Sequence, residues 1–144
     1  MAAALLAAAV AGCASAEQPA ALPSSASSGP TFLKLRQRGA IGGFAVIPLR
    51  VEEDSRCPTG VQCIQAGTVR LSARIEGRIR VLTWSQPSSI GPGAWLTLCD
   101  VIPYPARPGR ISAADYRFGF VLRRGIAPPA RATACPTPVA ESRG

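Results

Sequence analysis

The chain has 144 residues, a formal net charge of +8 from 16 basic and eight acidic residues, and no histidine. The lack of histidine excludes the common Ser-His-Asp and Cys-His forms of nucleophile activation, and with them copper sites of the blue type. The length favours one domain. A basic chain suits anionic lipid, acidic polysaccharide or nucleic acid as a partner, but the export signal described next argues against nucleic acid.

The chain opens with an apolar, alanine-rich stretch over residues 2–11. Ten residues span only about 15 Å as a helix, half the hydrocarbon thickness of a bilayer, so the stretch predicts a signal peptide rather than a membrane span. The following Val10-Ala11-Gly12-Cys13 looks like a bacterial lipobox, in which cleavage leaves a lipid-modified cysteine as the mature N-terminus. We therefore expect a signal peptide over residues 1–12 and a lipid anchor at Cys13, and Ala14 favours delivery to the outer membrane.

A second cleavage site competes with the lipobox. Ala14-Ser15-Ala16 fits the A-x-A pattern of ordinary signal peptidase, whose cut would release a soluble periplasmic or secreted protein beginning at Glu17. Residues 13–30 are rich in Ala, Ser and Pro and have almost nothing to bury, which predicts a flexible tether. Export is common to both cuts, and of the two we favour the lipobox cut that leaves Cys13 as the N-terminus.

Beyond the tether, apolar and polar residues alternate with a period of two, which predicts half-buried strands. Strands are expected near residues 33–36 and at 47–52, where Pro48 indicates an edge strand or a bulge. The clearest strand covers residues 69–75, and Glu76-Gly77 is typical of a tight turn into a second strand at 78–84.

Further along the chain, the Pro and Gly content of residues 86–93 and 103–111 predicts two loops. Strands are expected at 95–102 and 116–122, one short turn at 112–115, and an irregular, Pro-rich tail from about residue 127. Six or seven short strands predict a single all-β domain over residues 31–144, built as a small antiparallel β-sandwich or barrel.

Either cut takes Cys13 out of the thiol pool, by acylation or by removal. It leaves four cysteines, an even number that predicts disulfides in a small exported domain. Without a CxxC spacing or any histidine, zinc has no support. Three connectivities are open, and we favour a Cys57–Cys63 bridge because residues 58–60 are turn-forming. That choice leaves Cys99, on a predicted strand, to pair with Cys135 and fasten the tail.

The most distinctive stretch is EDSRCP at residues 53–58, followed after four residues by CIQAG at 63–67. Together with VIPYP at residues 101–105 and the Asp115-Tyr116 pair, it resembles a family of small exported bacterial proteins, many of them predicted lipoproteins without an assigned activity. The resemblance covers most of residues 31–124. It implies an exported β domain and offers no catalytic residues to carry over.

Two interpretations of the acidic part of this motif compete. In the structural one, Asp54 or Ser55 bonds backbone amides of a turn, Arg56 pairs with a neighbouring carboxylate, and Gly67 lets the backbone bend closely. In the other, Glu52, Glu53 and Asp54 form a calcium or cationic-ligand site. Adjacent strand residues point to alternate sides and no EF-hand spacing is present, so we predict the structural role and no metal or cofactor.

The predicted hairpin carries four arginines that would contact anionic head groups, lipopolysaccharide or cell-wall polymer if they shared an outer sheet face. In the competing interpretation they are simply exposed to solvent and bind nothing. The four are Arg70, Arg74, Arg78 and Arg80.

For function, the sequence predicts a non-catalytic binding or structural module of the cell envelope. The alternatives are a secreted protease-inhibitor-like module that presents a stapled loop, and a polyanion-binding module. A two-carboxylate hydrolase would need carboxylates such as Glu76, Asp100 and Asp115 to converge in the fold. Their spacing in the sequence does not indicate that they do. An exposed loop with apolar anchors would favour a protein partner, whereas a pocket with converging carboxylates would favour an enzyme.

Overall fold

The computed structural model describes residues 29–106, 109–129 and 135. These residues form two antiparallel sheets of four strands each, in the orders β1-β8-β7-β6 and β2-β3-β4-β5. The predicted disulfide-stapled all-β class is confirmed, with eight strands in place of six or seven. The strands are β1 (Thr31–Leu33), β2 (Gly39–Ile41), β3 (Phe44–Asp54), β4 (Val69–Ile75), β5 (Arg78–Thr83), β6 (Pro87–Gly91), β7 (Ala94–Ile102) and β8 (Arg117–Arg124).

The core lies between the two sheets and follows the period-two pattern of the sequence. Alternate residues of β4 are buried, while Arg70 and Arg74 between them are exposed. Burial of a large apolar side chain contributes about 1.5–3 kcal/mol, and both sheets supply fully buried side chains of this size. The facing side chains include Leu71, Ile75, Leu82, Leu96, Leu98, Phe118 and Phe120.

The β4–β5 hairpin turns at the predicted dipeptide. Glu76 and Gly77 both have positive φ angles, 47° and 80°, which is the pattern of the two-residue turn that matches the twist of paired strands. Ile75 and Arg78 are consequently opposite each other in the register.

Pro48 lies at a bulge in β3. The register with β4 shifts between Pro48 and Arg50, and again between Val51 and Glu53. Pro48 is opposite Ala73 and is buried, whereas Ile47, opposite the exposed Arg74, and Leu49 are only half-buried. β2 has three residues and pairs with β3 only from Phe44 to Val46.

The loop predicted at residues 86–93 is wrong, because Pro87–Gly91 forms strand β6 and pairs with β7. Proline is tolerated there because it is the first residue of a strand at the sheet edge, where its missing N–H breaks no necessary bond. The other predicted loop carries no strand in its described part, residues 103–106 and 109–111, and residues 113–115 form the expected turn.

Both favoured disulfides are present. Cys57 and Cys63 close part of the β3–β4 connection with Cα atoms 6.0 Å apart, and Cys99 of β7 joins Cys135 with Cα atoms 5.0 Å apart. The signal peptide (1–12), Cys13, the tether up to residue 28 and most of the tail lie outside the described residues. In the part of the chain that is described, no helix is long and apolar enough to cross a membrane.

Candidate functional site

The EDSRCP motif centres on Arg56, whose side chain is almost completely buried. Its Nε donates to Oδ1 of Asp54 at 2.9 Å and its Nη2 donates to Oδ2 at 2.7 Å. Two parallel charge-assisted bonds of this kind are among the strongest side-chain contacts in proteins. Among the neighbouring carboxylates of Glu52, Glu53 and Asp54, the partner of Arg56 is Asp54.

The rest of the Arg56 guanidinium binds the segment at the end of β7. It donates to the backbone carbonyl oxygens of Val101 and Pro103, the latter at 3.1 Å. The ring of Tyr104 also lies over it, with the guanidinium carbon 5.4 Å from the ring centroid, within the range of a cation–π contact. Arg56 therefore ties the β3–β4 connection to the VIPYP segment, which comes from the other sheet.

Tyr116 completes this cluster from the residue before β8. Its hydroxyl donates to Oδ2 of Asp54 at 2.8 Å, and its ring stacks on Phe118 with centroids 5.5 Å apart. Burial, and then the hydrogen bond to Asp54 and its charge, raise the pKa of Tyr116 to about 12. Burial alone would raise the pKa of Asp54, but hydrogen bonds from Arg56 and Tyr116 and the Arg56 charge hold it below its usual value.

We call this cluster the Arg56 network. It comprises Asp54, Arg56, Tyr104, Tyr116 and the carbonyls of Val101 and Pro103.

Gly67, at the end of the motif, is required by a close approach of two backbone segments. A Cβ atom at this position would lie 1.5 Å from the carbonyl oxygen of Ser55. The same two segments exchange hydrogen bonds, from the Ser55 N–H to Thr68 O at 2.9 Å and from the Thr68 N–H to Ser55 Oγ at 3.0 Å. Only glycine leaves room for this contact, as the structural interpretation of the motif expects.

The carboxylates that would bind a cation in the second interpretation of the motif already accept hydrogen bonds. Both carboxylate oxygens of Asp54 accept from Arg56 or Tyr116, and Glu52 accepts from Arg50 and Ser72. Across the described residues, no three Cys, Asp or Glu side chains are grouped to hold a metal ion.

The stapled loop, residues 57–66, projects from the Arg56 network into solvent. Every residue from 59 to 66 is exposed, including Val61 at 48% and Ile64, which has no shielding at all. The base of the loop is held by the Cys57–Cys63 bridge and by the Thr59 N–H, which donates to Pro105 O at 2.9 Å. The loop therefore presents exposed apolar side chains on a firmly held base, and exposed apolar anchors of this kind favour a protein partner.

A cleft of about 710 Å³ lies beside the network. One wall consists of all the residues from 49 to 56, and the opposite wall includes Leu35, Arg36, Arg110 and Ile111. Its volume lies within the range of ligand pockets. The sequence did not bring Arg36 and Arg110 together, because they come from segments far apart in the chain. The strand predicted near residues 33–36 ends at Leu33, so Arg36 lies in a turn beyond it.

The four hairpin arginines do not share one face. Arg70 and Arg74 are exposed on the outer side of β4, as predicted. Arg78 and Arg80 are opposite the buried Ile75 and Ala73 in the register, so they point to the side of the other sheet. Arg80 reaches across the sandwich edge and donates to Ser89 O of β6 at 3.1 Å. The predicted basic outer face is thus reduced to two of its four members, because the turn register sets Arg78 and Arg80 on the inner side.

The three carboxylates considered for a hydrolase do not meet in the cleft. None of Glu76, Asp100 and Asp115 lines it. Glu76 accepts from the Ala45 N–H at the hairpin turn, and Asp100 accepts from the N–H of the next residue on β7.

No family model, no curated protein and no solved structure matches the chain. Three features of the geometry bear on function: the Arg56 network, the stapled loop and the cleft.

Proposed function

We propose that the protein is a non-catalytic binding module of the bacterial cell envelope, anchored by an acylated Cys13, that contacts a protein partner through its stapled loop. The observation that carries this proposal is the exposure of Val61 and Ile64 on a loop whose base is fixed.

Binding energy at protein interfaces is concentrated in a few side chains that enter pockets of the partner. Ile64 is fully exposed and Val61 is half exposed, so both are free to act as such anchors. The disulfide and the Thr59–Pro105 hydrogen bond hold the loop before any partner arrives. Such preorganisation lowers the entropy lost on binding, which favours a recognition loop over a merely solvated connection.

The titration of the Arg56 network supports binding over catalysis. General acid–base catalysis works best with a pKa near the operating pH. The pKa of Asp54 is lowered and that of Tyr116 is raised to about 12, so neither exchanges protons readily near neutrality.

The partner test uses a photo-crosslinking amino acid incorporated at position 64 in living cells, with the full chain carrying its own export signal. The matched control places the same amino acid at position 126, where Ile126, beyond the end of β8, is 95% exposed. We expect defined covalent adducts from position 64 and none from position 126. Equal adducts from both positions, or none from either, would contradict the proposal.

The anchoring part of the proposal has its own measurement. Intact mass of the membrane-extracted protein should show a chain beginning at an acylated Cys13. A species beginning at Glu17 without acyl chains would replace the anchored module by a secreted one.

A second candidate contact is with anionic lipid, favoured by one observation on the outer face of β4 and β5. Arg74 lies there opposite Ile79, which is 62% exposed, and Val81 beside it is 46% exposed. Basic and apolar side chains on one face suit a lipid surface. Sedimentation with anionic vesicles should weaken in Arg70→Gln/Arg74→Gln and not in Arg78→Gln/Arg80→Gln; equal loss from both pairs would contradict a face-specific contact.

A further inference from the structure

β3 has one backbone edge that no strand covers along half its length. β4 pairs with β3 as far as Asp54, but β2 pairs only with residues 44–46. One more bond, from the Arg36 N–H to Pro48 O at 2.7 Å, extends this coverage to the bulge. From Leu49 to Asp54, no backbone group of the described residues bonds to the edge facing away from β4. An uncovered edge is a template for a further strand.

The cleft runs along this uncovered edge. Successive side chains of a strand point to opposite sides, yet every residue from 49 to 56 lines the cleft. The space therefore adjoins the backbone itself and not one face of the strand. Leu35, Val51 and Ile111, which line the cleft, also pack against the core, so its floor is partly apolar.

The charges left uncommitted in the cleft are mainly positive. Glu52 is paired with Arg50, and Asp54 with Arg56. Arg36 and Arg110 line the cleft, and neither has a carboxylate within 4.0 Å among the described residues. Glu53 is the one lining carboxylate without a cationic partner, and it accepts a hydrogen bond from Ser55 Oγ at 3.0 Å. Two guanidinium groups thus outnumber one carboxylate.

We propose that this cleft binds an extended peptide segment of a partner, acidic in composition, which adds as a strand to the free edge of β3. Main-chain hydrogen bonds to residues 49–54 supply affinity, as in other cases of strand addition. Arg36 and Arg110 select acidic side chains, since charge complementarity governs which partners are accepted. A second copy of this chain would instead bring the same arginines face to face.

The probe is a capped hexapeptide of alternating glutamate and valine, titrated against the purified full-length protein in detergent. Hydrogen exchange should show new protection of those amides of residues 49–54 that face away from β4 when the peptide is present, because the others already bond to β4. A peptide with lysine in place of glutamate should bind about tenfold more weakly or worse. A peptide methylated at alternate backbone nitrogens should lose binding, because it cannot form the strand ladder.

Matched protein variants separate the site from general charge attraction. Arg36→Gln/Arg110→Gln should weaken binding of the acidic peptide about tenfold. Arg74→Gln/Arg123→Gln removes the same charge from exposed positions that do not line the cleft and should leave the affinity unchanged. Ile64→Asp should also leave it unchanged, so this result stands or falls independently of the stapled loop.

Four outcomes would overturn the proposal. They are no binding of the acidic peptide up to about 1 mM, equal binding of the methylated peptide, equal weakening by the two double-arginine variants, and protection of the amides facing away from β4 before any peptide is added. The last would show that a second copy or another segment of this chain already covers the edge, and sedimentation velocity would tell these two apart.

Discussion

The Arg56 network and the stapled loop are neighbours in the chain but differ in almost every physical respect. Arg56 is 6% exposed and makes bonds to residues on both sheets, whereas residues 59–66 are all exposed. Cys57 lies at the boundary between the two regions. The most distinctive residues of the motif therefore hold the base of the loop. The surface that a partner can contact consists of the exposed residues 59–66, which carry no distinctive motif.

The largest effect is expected from removing the Arg56 guanidinium. Arg56→Met keeps an apolar stem but leaves the partly buried Asp54 without its cation. Breaking a fully buried pair costs about 3–5 kcal/mol, and the solvent access of Asp54 places the expected loss at the lower end, about 3 kcal/mol. Urea unfolding should report this loss of stability. The matched control Arg74→Met alters an exposed arginine on β4 and should change stability by less than about 0.5 kcal/mol. Similar effects from both would mean that the network does not stabilise the fold.

Gly67→Ala should give the next largest effect. The added methyl would overlap the Ser55 carbonyl, and forced overpacking costs about 1–3 kcal/mol. Gly91→Ala is the control, because the nearest atom to its new Cβ is a Phe44 ring carbon 3.8 Å away. Thermal unfolding should show a lower Tm for Gly67→Ala alone. An unchanged Tm would contradict the close approach of residues 55 and 67.

The pH dependence of stability tests the Asp54–Tyr116 hydrogen bond. The pKa of Tyr116 is raised to about 12, so its contribution is present below the unfolded value of about 10 and is lost as pH rises from 10 through 12. The pKa of Asp54 is lowered, so its contribution is present above about pH 4 and is lost as pH falls further.

Tyr116→Phe should therefore flatten the alkaline fall in stability, measured by urea unfolding from pH 9 to 12 in steps of about 0.5. Tyr104, whose pKa is raised by burial and by Asp100, leaves a smaller residual dependence. If stability falls equally between pH 9 and 12 in Tyr116→Phe and in the natural chain, the group that titrates is not Tyr116.

The smallest effect on stability is expected from the loop itself. Ile64→Asp replaces a fully exposed side chain, so unfolding should shift by less than about 0.5 kcal/mol. With the crosslinker at position 61, the same substitution should reduce the partner adducts. A large loss of stability would show that Ile64 belongs to the support, and undiminished adducts would remove it from the contact surface.

Local physical chemistry was sufficient for much of this protein. The period-two pattern of β4 and the Glu76-Gly77 turn depend on residues next to one another, and so does the short loop that lets Cys57 reach Cys63. The expectation of an edge strand or a bulge at Pro48 depends only on that residue's missing N–H. These features, and the all-β class built from them, were determined by the sequence alone.

Other features were decided only by the tertiary structure. Asp54 became the partner of Arg56 because Tyr116, Val101 and Pro103, distant in the chain, converge on the same point. Strand β6 forms despite its Pro and Gly content because it pairs with the edge of β7. Local propensity cannot predict this pairing. The cleft, with Arg36 and Arg110 facing the open edge of β3, exists because β2 is shorter than its neighbour. Each of these depends on which segments the two sheets bring together, and that is a property of the whole packed chain.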